Sequence, residues 1–121
     1  DLSQLVALDM NAGERLWSVP LGDGPRDHET LRGLDLPPLG NYEKLGGPLL
    51  TKTLLFIGQG IESNTLRAFD KSTGYELFAV ELPARSSSAP ITYLAAGRQF
   101  VVMATGGGGS TEQLVALALP Q

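Results

Sequence analysis

The only histidine of the chain, His28, lies between two carboxylates, Asp27 and Glu29, and is the first residue to consider for chemistry. An imidazole beside carboxylates can titrate near neutral pH, act as a general base or bind a metal. A metal site needs further ligands at suitable spacing, and the chain contains no cysteine. We therefore expect His28 to be a solvated surface residue. The sequence nominates no catalytic residue and no metal ligand.

Two other segments contain residue types that occur in active sites. The glycines at 106–109 could cradle a phosphate, but a P-loop continues with Gly-Lys-Ser/Thr and a helix, and neither follows here. The serines at 86–88 have no Gly-x-Ser-x-Gly frame around them, so they do not form a nucleophile elbow. We expect the glycine run to be a flexible connection between structural units.

Composition narrows the class of protein. The chain has 121 residues, of which 42% are hydrophobic and 18% charged, which is typical of a single globular domain. The net charge is −4 and no basic stripe is present, which argues against nucleic acid and anionic membranes as partners. The first residue is Asp1, not Met, and no signal peptide is visible. We expect a processed product or a piece of a longer protein.

An internal repeat is the strongest pattern in the sequence. Residues 4–8 (Gln-Leu-Val-Ala-Leu) recur identically at 113–117, and a looser copy, Leu-Arg-Ala-Phe-Asp, occupies 66–70. The first and looser copies continue in parallel, so that residues 7–17 align with 68–78. Leu66 and Leu114 are 48 residues apart, which is close to the roughly 40–50 residues of a propeller blade.

Each aligned stretch predicts a β-hairpin. Asp9 and Asp70 can accept backbone N–H bonds and cap a turn, and Gly13 and Gly74 can supply the positive φ that the turn requires. The second strand of each hairpin carries an aromatic residue, Trp17 or Phe78, which we expect to pack in the core against a neighbouring sheet. Arg67 and Glu62 are interpreted as solvated charges at strand edges.

The remaining apolar runs predict further short strands, and no segment has helical periodicity. The predicted fold class is all-β, with antiparallel four-stranded propeller-blade units. The chain then divides into a half blade at 1–20, an inserted loop at 21–46, a full blade at 47–83 and a last incomplete blade at 84–121. The predicted strands outside the repeats cover 48–51, 54–58, 90–95 and 99–104, with a tight turn at 96–98.

These motifs resemble the PQQ-dependent quinoprotein dehydrogenases, in particular the membrane-bound glucose and polyol dehydrogenase branch. The hairpin is similar to that family's tryptophan-docking repeat, approximately A-x-D-x-x-T-G-x-x-x-W. The resemblance continues in order through Leu-Gly-Gly-Pro at 45–48, Leu-Phe-Ile-Gly at 55–58, Ala-Pro-Ile-Thr-Tyr at 89–93 and the glycines at 106–109. Phe78 stands where the family usually has tryptophan.

The resemblance implies about two to two and a half blades of an eight-bladed propeller, with PQQ and usually Ca²⁺ on its axis. Such enzymes oxidise sugars, polyols or alcohols in the periplasm and pass electrons to a quinone or a cytochrome. The family's catalytic aspartate and most of its metal ligands lie upstream of the matched blades. The chain alone is therefore expected to be inactive.

The resemblance also points to a cofactor-binding segment, Leu45, Gly46 and Gly47. Leu45 would pack on the planar quinone, and the two glycines would let the backbone approach it closely. The competing interpretation is that the glycine pair forms a turn before a strand. The charged, Pro-rich loop at 21–44 would lie over the cofactor face of the parent enzyme.

Two other functions remain open from the sequence. One is a non-enzymatic propeller module for protein interaction, similar to outer-membrane assembly lipoproteins, which share the repeat. The other is a repurposed small β protein that self-associates, because incomplete blades leave open sheet edges and bare faces. The partners expected are thus the remaining blades of a parent enzyme or a second copy of the chain.

Overall fold

The computed structural model describes residues 2–42, 46–59 and 63–121. In these ranges it contains nine β-strands and one short 3₁₀ helix, Pro25–Asp27. The strands are β1 (Gln4–Asp9), β2 (Glu14–Pro20), β3 (Leu49–Leu50), β4 (Leu54–Gly58), β5 (Thr65–Asp70), β6 (Glu76–Glu81), β7 (Ile91–Ala95), β8 (Arg98–Gly107) and β9 (Ser110–Leu117). No helix within the described ranges has the length and apolar character needed to cross a membrane.

The strands form three separate antiparallel sheets. The first sheet pairs β1 with β2, the second has the order β3-β4-β5-β6, and the third has the order β7-β8-β9. Within each sheet, consecutive strands of the chain pair with one another, as expected when short turns connect antiparallel strands. The all-β, blade-like fold class is confirmed. The division of the chain at residues 20, 46 and 83 stays a prediction.

The two aligned hairpins have the same local structure. Asp9 Oδ1 accepts the backbone N–H groups of Asn11 and Ala12 at 2.8 and 3.1 Å. Asp70 Oδ1 accepts those of Ser72 and Thr73 at the same two distances. Gly13 and Gly74 have φ values of 70° and 75°, which a residue with a side chain rarely adopts. The predicted role of both aspartates as turn caps is confirmed.

A β-bulge recurs at the same place in both hairpins. The register shifts between Ala7 and Leu8 in the first sheet, and between Ala68 and Phe69 in the second. The extra residue lets Ala7 lie opposite Trp17, and Ala68 opposite Phe78. The bulge therefore sets which face of the sheet each aromatic residue occupies.

Two apolar clusters join the sheets. The first lies between the second and third sheets and contains Phe56, Leu66, Ala68, Leu82, Val101 and Met103. The second lies between the first and second sheets and contains Leu21, Leu55, Ile57 and Phe69, with Leu5, Trp17 and Val19 packed against it. Because the two faces of the second sheet contribute to different clusters, that sheet is covered on both sides.

Trp17 links the first two sheets at their outer strands. Its indole Nε1 donates a hydrogen bond to the Lys71 carbonyl at 3.1 Å. Its ring also lies against Gly74, where an added Cβ would come within 2.5 Å of the indole. The hairpin turn of the second sheet thus receives the aromatic residue of the first, and a side chain at position 74 would displace it.

The loop between the first two sheets is held in place by hydrogen bonds between its two arms, residues 21–23 and 39–41. The Asn41 amide donates to the Leu21 carbonyl at 2.7 Å, and the Leu39 amide donates to the Asp23 carbonyl at 3.0 Å. The Ser3 amide donates to the Asn41 carbonyl at 2.8 Å, which attaches both arms to the start of the chain. Leu21 is fully buried between the sheets.

The glycine run at 106–109 does not connect two structural units, so that expectation was wrong. Gly107 pairs with Ser110, and Gly108 and Gly109 form the two-residue turn of the β8–β9 hairpin. All four glycines have positive φ, and a type I′ hairpin turn requires it at the two central residues, Gly108 and Gly109. The Gly106 amide also donates to the Arg85 carbonyl at 2.9 Å. The glycine run therefore closes a hairpin within one sheet.

Candidate functional site

The predicted cofactor-binding segment lies just before β3, the first strand of the second sheet. Leu45 is outside the described residues. Gly46 and Gly47 are exposed, and neither has a positive φ. They lead through Pro48 directly into Leu49, so the pair stands immediately before a strand.

The glycine pair contacts the corresponding segment of the next sheet. A Cβ added at Gly46 would lie 3.3 Å from the Ser88 carbonyl oxygen, and one at Gly47 would lie 3.4 Å from the Ala89 Cβ. Ser88 and Ala89 precede β7, the first strand of the third sheet, just as the glycines precede β3. The starts of the first strands in neighbouring sheets thus lie side by side.

This arrangement leaves an uncharged, exposed strip of backbone. One side of Gly46 and Gly47 is closed by Ser88 and Ala89, while the other side is open to solvent. Such a strip can contact the face of a planar group but offers no charge to a carboxylate or a metal. Within 2–42, 46–59 and 63–121, no group of three or more His, Cys, Asp or Glu residues could hold a metal ion.

Within the described part of the chain, the contacts of His28 are those of a surface turn. Its side chain is exposed, and its Nδ1 accepts a hydrogen bond from the Thr30 amide at 3.3 Å. The carbonyl of His28 accepts the amides of Leu31 and Arg32, both at 2.8 Å. The residue therefore helps to shape a surface turn.

The interpretation of Arg67 as a solvated charge was wrong. Only 11% of its side chain is exposed, and its guanidinium pairs with Glu76 at 2.8 Å. Its Nε donates to Gln59 Oε1, and Gln59 is itself fully buried. Glu62, interpreted in the same way, lies outside the described residues. The repeat offered a signal that position 67 is not an ordinary surface position, because valine occupies the matching positions 6 and 115.

The two aromatic residues of the repeats differ in their surroundings. Trp17 is half-buried and hydrogen-bonded across the sheets, as described above. Phe78 is 41% exposed and meets Phe56 of its own sheet edge-on, with 6.2 Å between ring centroids. The expectation that both aromatics belong to the core holds for Trp17 and fails for Phe78.

Hydrogen bonds at the second hairpin turn also perturb a carboxyl group. The hydroxyl of Ser72 donates to Asp70 at 2.6 Å, in addition to the amides of Ser72 and Thr73. These bonds, the Ser72 hydroxyl first, hold the pKa of Asp70 below its ordinary value. Asp70 is partly exposed and serves the turn rather than a reaction.

The blade-like sheets, stacked through apolar faces, define a β-propeller domain as the class of protein. Residues 2–101 match the family "PQQ: Glucose/ethanol/alcohol dehydrogenase, beta-propeller domain". The chain belongs to this PQQ-dependent dehydrogenase family.

Sequence relatives carry dehydrogenase names. The chain is 35% identical over 123 residues to a "Probable quinate dehydrogenase (quinone)" of Xanthomonas campestris pv. juglandis. It is 34% identical over 123 residues to the "Quinoprotein glucose dehydrogenase" of Escherichia coli (strain K12). Each alignment covers 96% of this chain but 15% of the relative. The chain thus spans about one seventh of the length of these curated relatives.

A solved structure has a similar fold. The chain superimposes on the quinohemoprotein alcohol dehydrogenase from Comamonas testosteroni with a TM-score of 0.59 and 27% sequence identity. The superposition covers 85% of this chain and 12% of that one. The likeness extends over all but a small part of the present chain.

Proposed function

We propose that this chain forms part of the eight-bladed propeller of a PQQ-dependent dehydrogenase that oxidises a sugar, a polyol or an alcohol. In this proposal the electrons pass to a quinone or a cytochrome, and the reaction takes place in the periplasm. The observation that carries it is the family match along residues 2–101 together with the small share of each relative that the chain covers. The proposal places the catalytic aspartate and the Ca²⁺ ligands in other blades.

The outer faces of the first and third sheets support the proposal that further blades pack against this chain. In the third sheet, Ile91, Tyr93 and Leu114 are 60%, 45% and 80% exposed. In the first sheet, Val6 and Leu8 are 46% and 60% exposed. In the second sheet, Leu66, which the repeat aligns with Leu114, is buried against the third sheet, and Phe69, which the repeat aligns with Leu8, is buried against the first. Neighbouring blades of one polypeptide would cover the bare faces in the same way.

The role proposed for 45–47 is contact with PQQ. The cofactor is planar and supplies a redox-active quinone when bound. The exposed backbone at Gly46 and Gly47 fits contact with the face of such a ring, because neither glycine has a side chain that would separate its backbone from the ring. The described residues of the strip, Gly46, Gly47, Ser88 and Ala89, carry no cation for the carboxylates of PQQ. We therefore propose that the strip packs on the ring while charged groups elsewhere hold its edge.

Substitution at Gly47 tests this contact. An alanine Cβ would meet Ala89 at an ordinary van der Waals distance, so the backbone should tolerate the change. Because the added Cβ points toward Ala89, we expect Gly47→Ala to leave PQQ binding in the parent polypeptide near the wild-type value. Gly47→Val must displace Ala89 and shift the strip, so we expect it to weaken PQQ binding, as measured by equilibrium dialysis. The matched control is Ser87→Val, which alters an exposed residue beside the neighbouring strand. Wild-type PQQ affinity in Gly47→Val would contradict the contact.

The isolated chain tests the location of the chemistry. With saturating PQQ and Ca²⁺ and an artificial dye as electron acceptor, we expect no sugar-dependent or alcohol-dependent dye reduction by residues 1–121 alone. The physical reason is that the proposed catalytic aspartate and ion ligands are absent from the chain. Sustained turnover by the isolated chain would show that this part of the proposal is wrong.

A further inference from the structure

Arg67 occupies a position that the repeat otherwise gives to valine. The three copies align Leu5-Val6-Ala7 with Leu66-Arg67-Ala68 and with Leu114-Val115-Ala116. In the third sheet, Val115 packs against the apolar cluster. A blade-like sheet therefore forms with valine at this position. The arginine of the second sheet has to be explained by contacts that the other sheets lack.

The second sheet alone follows the long loop. The segment 21–48 separates β2 from β3, whereas 82–90 is enough to connect β6 with β7. Leu21 at the start of the loop is fully buried and packs with Leu55, Ile57 and Phe69. The loop is thus inserted at the interface that Arg67 faces.

The Arg67 guanidinium makes contacts on both sides of this interface. Within the second sheet it pairs with Glu76 at 2.8 Å, and its Nε donates to the buried Gln59. Toward the loop, its Nη2 lies 3.8 Å from Asp23 Oδ2. Gln59 adds a second link, because its Nε2 donates to the Leu21 carbonyl at 3.4 Å.

Within the loop, these contacts continue to the opposite arm. Asp23 Oδ1 accepts a hydrogen bond from Arg26 Nη2 at 2.9 Å, and Arg26 Nη1 donates to the Leu36 carbonyl at 3.0 Å. A chain of charged and polar groups therefore runs from Glu76 in β6 to Leu36 in the loop. Burying a guanidinium is costly unless its donors are paired, and here the loop supplies part of the pairing.

We propose that Arg67 is a positioning residue that clamps the loop at 21–41 to the second sheet. It does so through Asp23 directly and through Gln59 to Leu21. The loop is then a rigid wall of the domain, and its position depends on the charge of one buried side chain. This inference goes beyond the proposed cofactor contact and does not depend on it.

The rate of trypsin cleavage in the loop measures how firmly Arg67 holds it, and the assay needs no cofactor. The enzyme cleaves after Arg32, which is exposed in the loop. Cleavage requires local opening, and its rate follows the population of the open form. We expect Arg67→Val to accelerate cleavage after Arg32 about tenfold, because the ion pair with Asp23 is lost together with the bond that orients Gln59 toward Leu21. Arg67→Lys keeps the charge without the planar fork and should give an intermediate rate.

Two comparisons separate a clamp from a general contribution to stability. Amide exchange in β8 and β9 should stay at the wild-type level in Arg67→Val, because the third sheet does not contact the loop through Arg67. Arg98→Val is the matched control, since Arg98 donates to the Leu119 carbonyl in the third sheet and is not a loop contact. That variant should leave cleavage after Arg32 unchanged.

A double-mutant cycle with Asp23→Asn gives the decisive readout. If Arg67 acts through Asp23, the double variant should be cleaved more slowly than the product of the single effects predicts. Additive effects, wild-type cleavage in Arg67→Val, or acceleration matched by faster exchange in β8 and β9 would each overturn the proposal. Should Arg67→Val fail to fold, Arg67→Gln keeps a donor for Gln59 and enters the same cycle.

Discussion

Trp17 shows how one side chain joins two sheets through a single polar atom and a flat ring. Replacing it with phenylalanine, the residue found at the matching position 78, removes the bond from Nε1 to the Lys71 carbonyl but keeps a ring over Gly74. We expect Trp17→Phe to lower the free energy of unfolding by about 1 kcal/mol, measured by urea denaturation. Tyr75→Phe also deletes one polar atom, but from a ring that is 71% exposed, and should have no effect. Equal effects of the two changes would argue against a specific role for the indole bond.

Asp70 makes a prediction about pH at the same scale. Its pKa is depressed in the folded chain, chiefly by the Ser72 hydroxyl, so the folded state binds its proton less readily than the unfolded state does. The stabilisation is present above the ordinary carboxyl pKa and is lost as the pH falls through the depressed native value. We expect stability to fall less steeply with acid in Asp70→Asn than in the wild type, as followed by urea denaturation at a series of pH values. Ser72→Ala should give an intermediate pH dependence; a slope identical to that of the wild type in both variants would contradict this assignment.

The β8–β9 hairpin allows backbone conformation and steric space to be compared within one element. Gly106 and Gly109 both have positive φ, at 117° and 97°, but only at Gly106 would a Cβ lie 2.5 Å from a backbone oxygen, that of Thr111. We expect Gly109→Ala to cost about 1 kcal/mol of unfolding free energy, from backbone strain alone. Gly106→Ala should cost at least about 2 kcal/mol more, because two backbone segments must separate. Similar costs in urea denaturation would mean that the turn relaxes freely.

Elements defined by local pattern were predictable, whereas contacts between elements were not. The strand at 54–58 and the turns after Asp9 and Asp70 followed from alternation and turn chemistry, and each lies where predicted. β3 is shorter than the predicted 48–51, since Pro48 has no amide to donate. Arg67 was misjudged because its partners come from a loop and from β6, which no local pattern brings together. Leu45 lies outside the described residues, so its predicted role stays a prediction.

At the scale of the whole molecule, the outer faces of the first and third sheets are apolar and bare. If no other blades are present, we expect the isolated chain to self-associate through these faces. Leu114→Glu places a charge on the outer face of β9, an edge strand of the third sheet, and should shift the chain toward monomer in light scattering across a concentration series. Leu119→Glu, at a residue that is 81% exposed beyond the last strand, is the matched control and should not. A wild-type chain that is monomeric at every concentration would contradict this expectation.

Within each sheet, strands pair in chain order, and this has a consequence for the order of folding. Hairpins close short loops, so each sheet can form quickly and without help from distant residues. The contacts that join the sheets, such as Trp17 with Lys71, connect residues 54 positions apart and must form afterwards. Substitutions at these junctions should therefore speed unfolding and leave the refolding rate nearly unchanged, whereas substitutions in the hairpin turns should slow refolding. During synthesis, the first hairpin would be complete while the sheet that it packs against is still emerging from the ribosome.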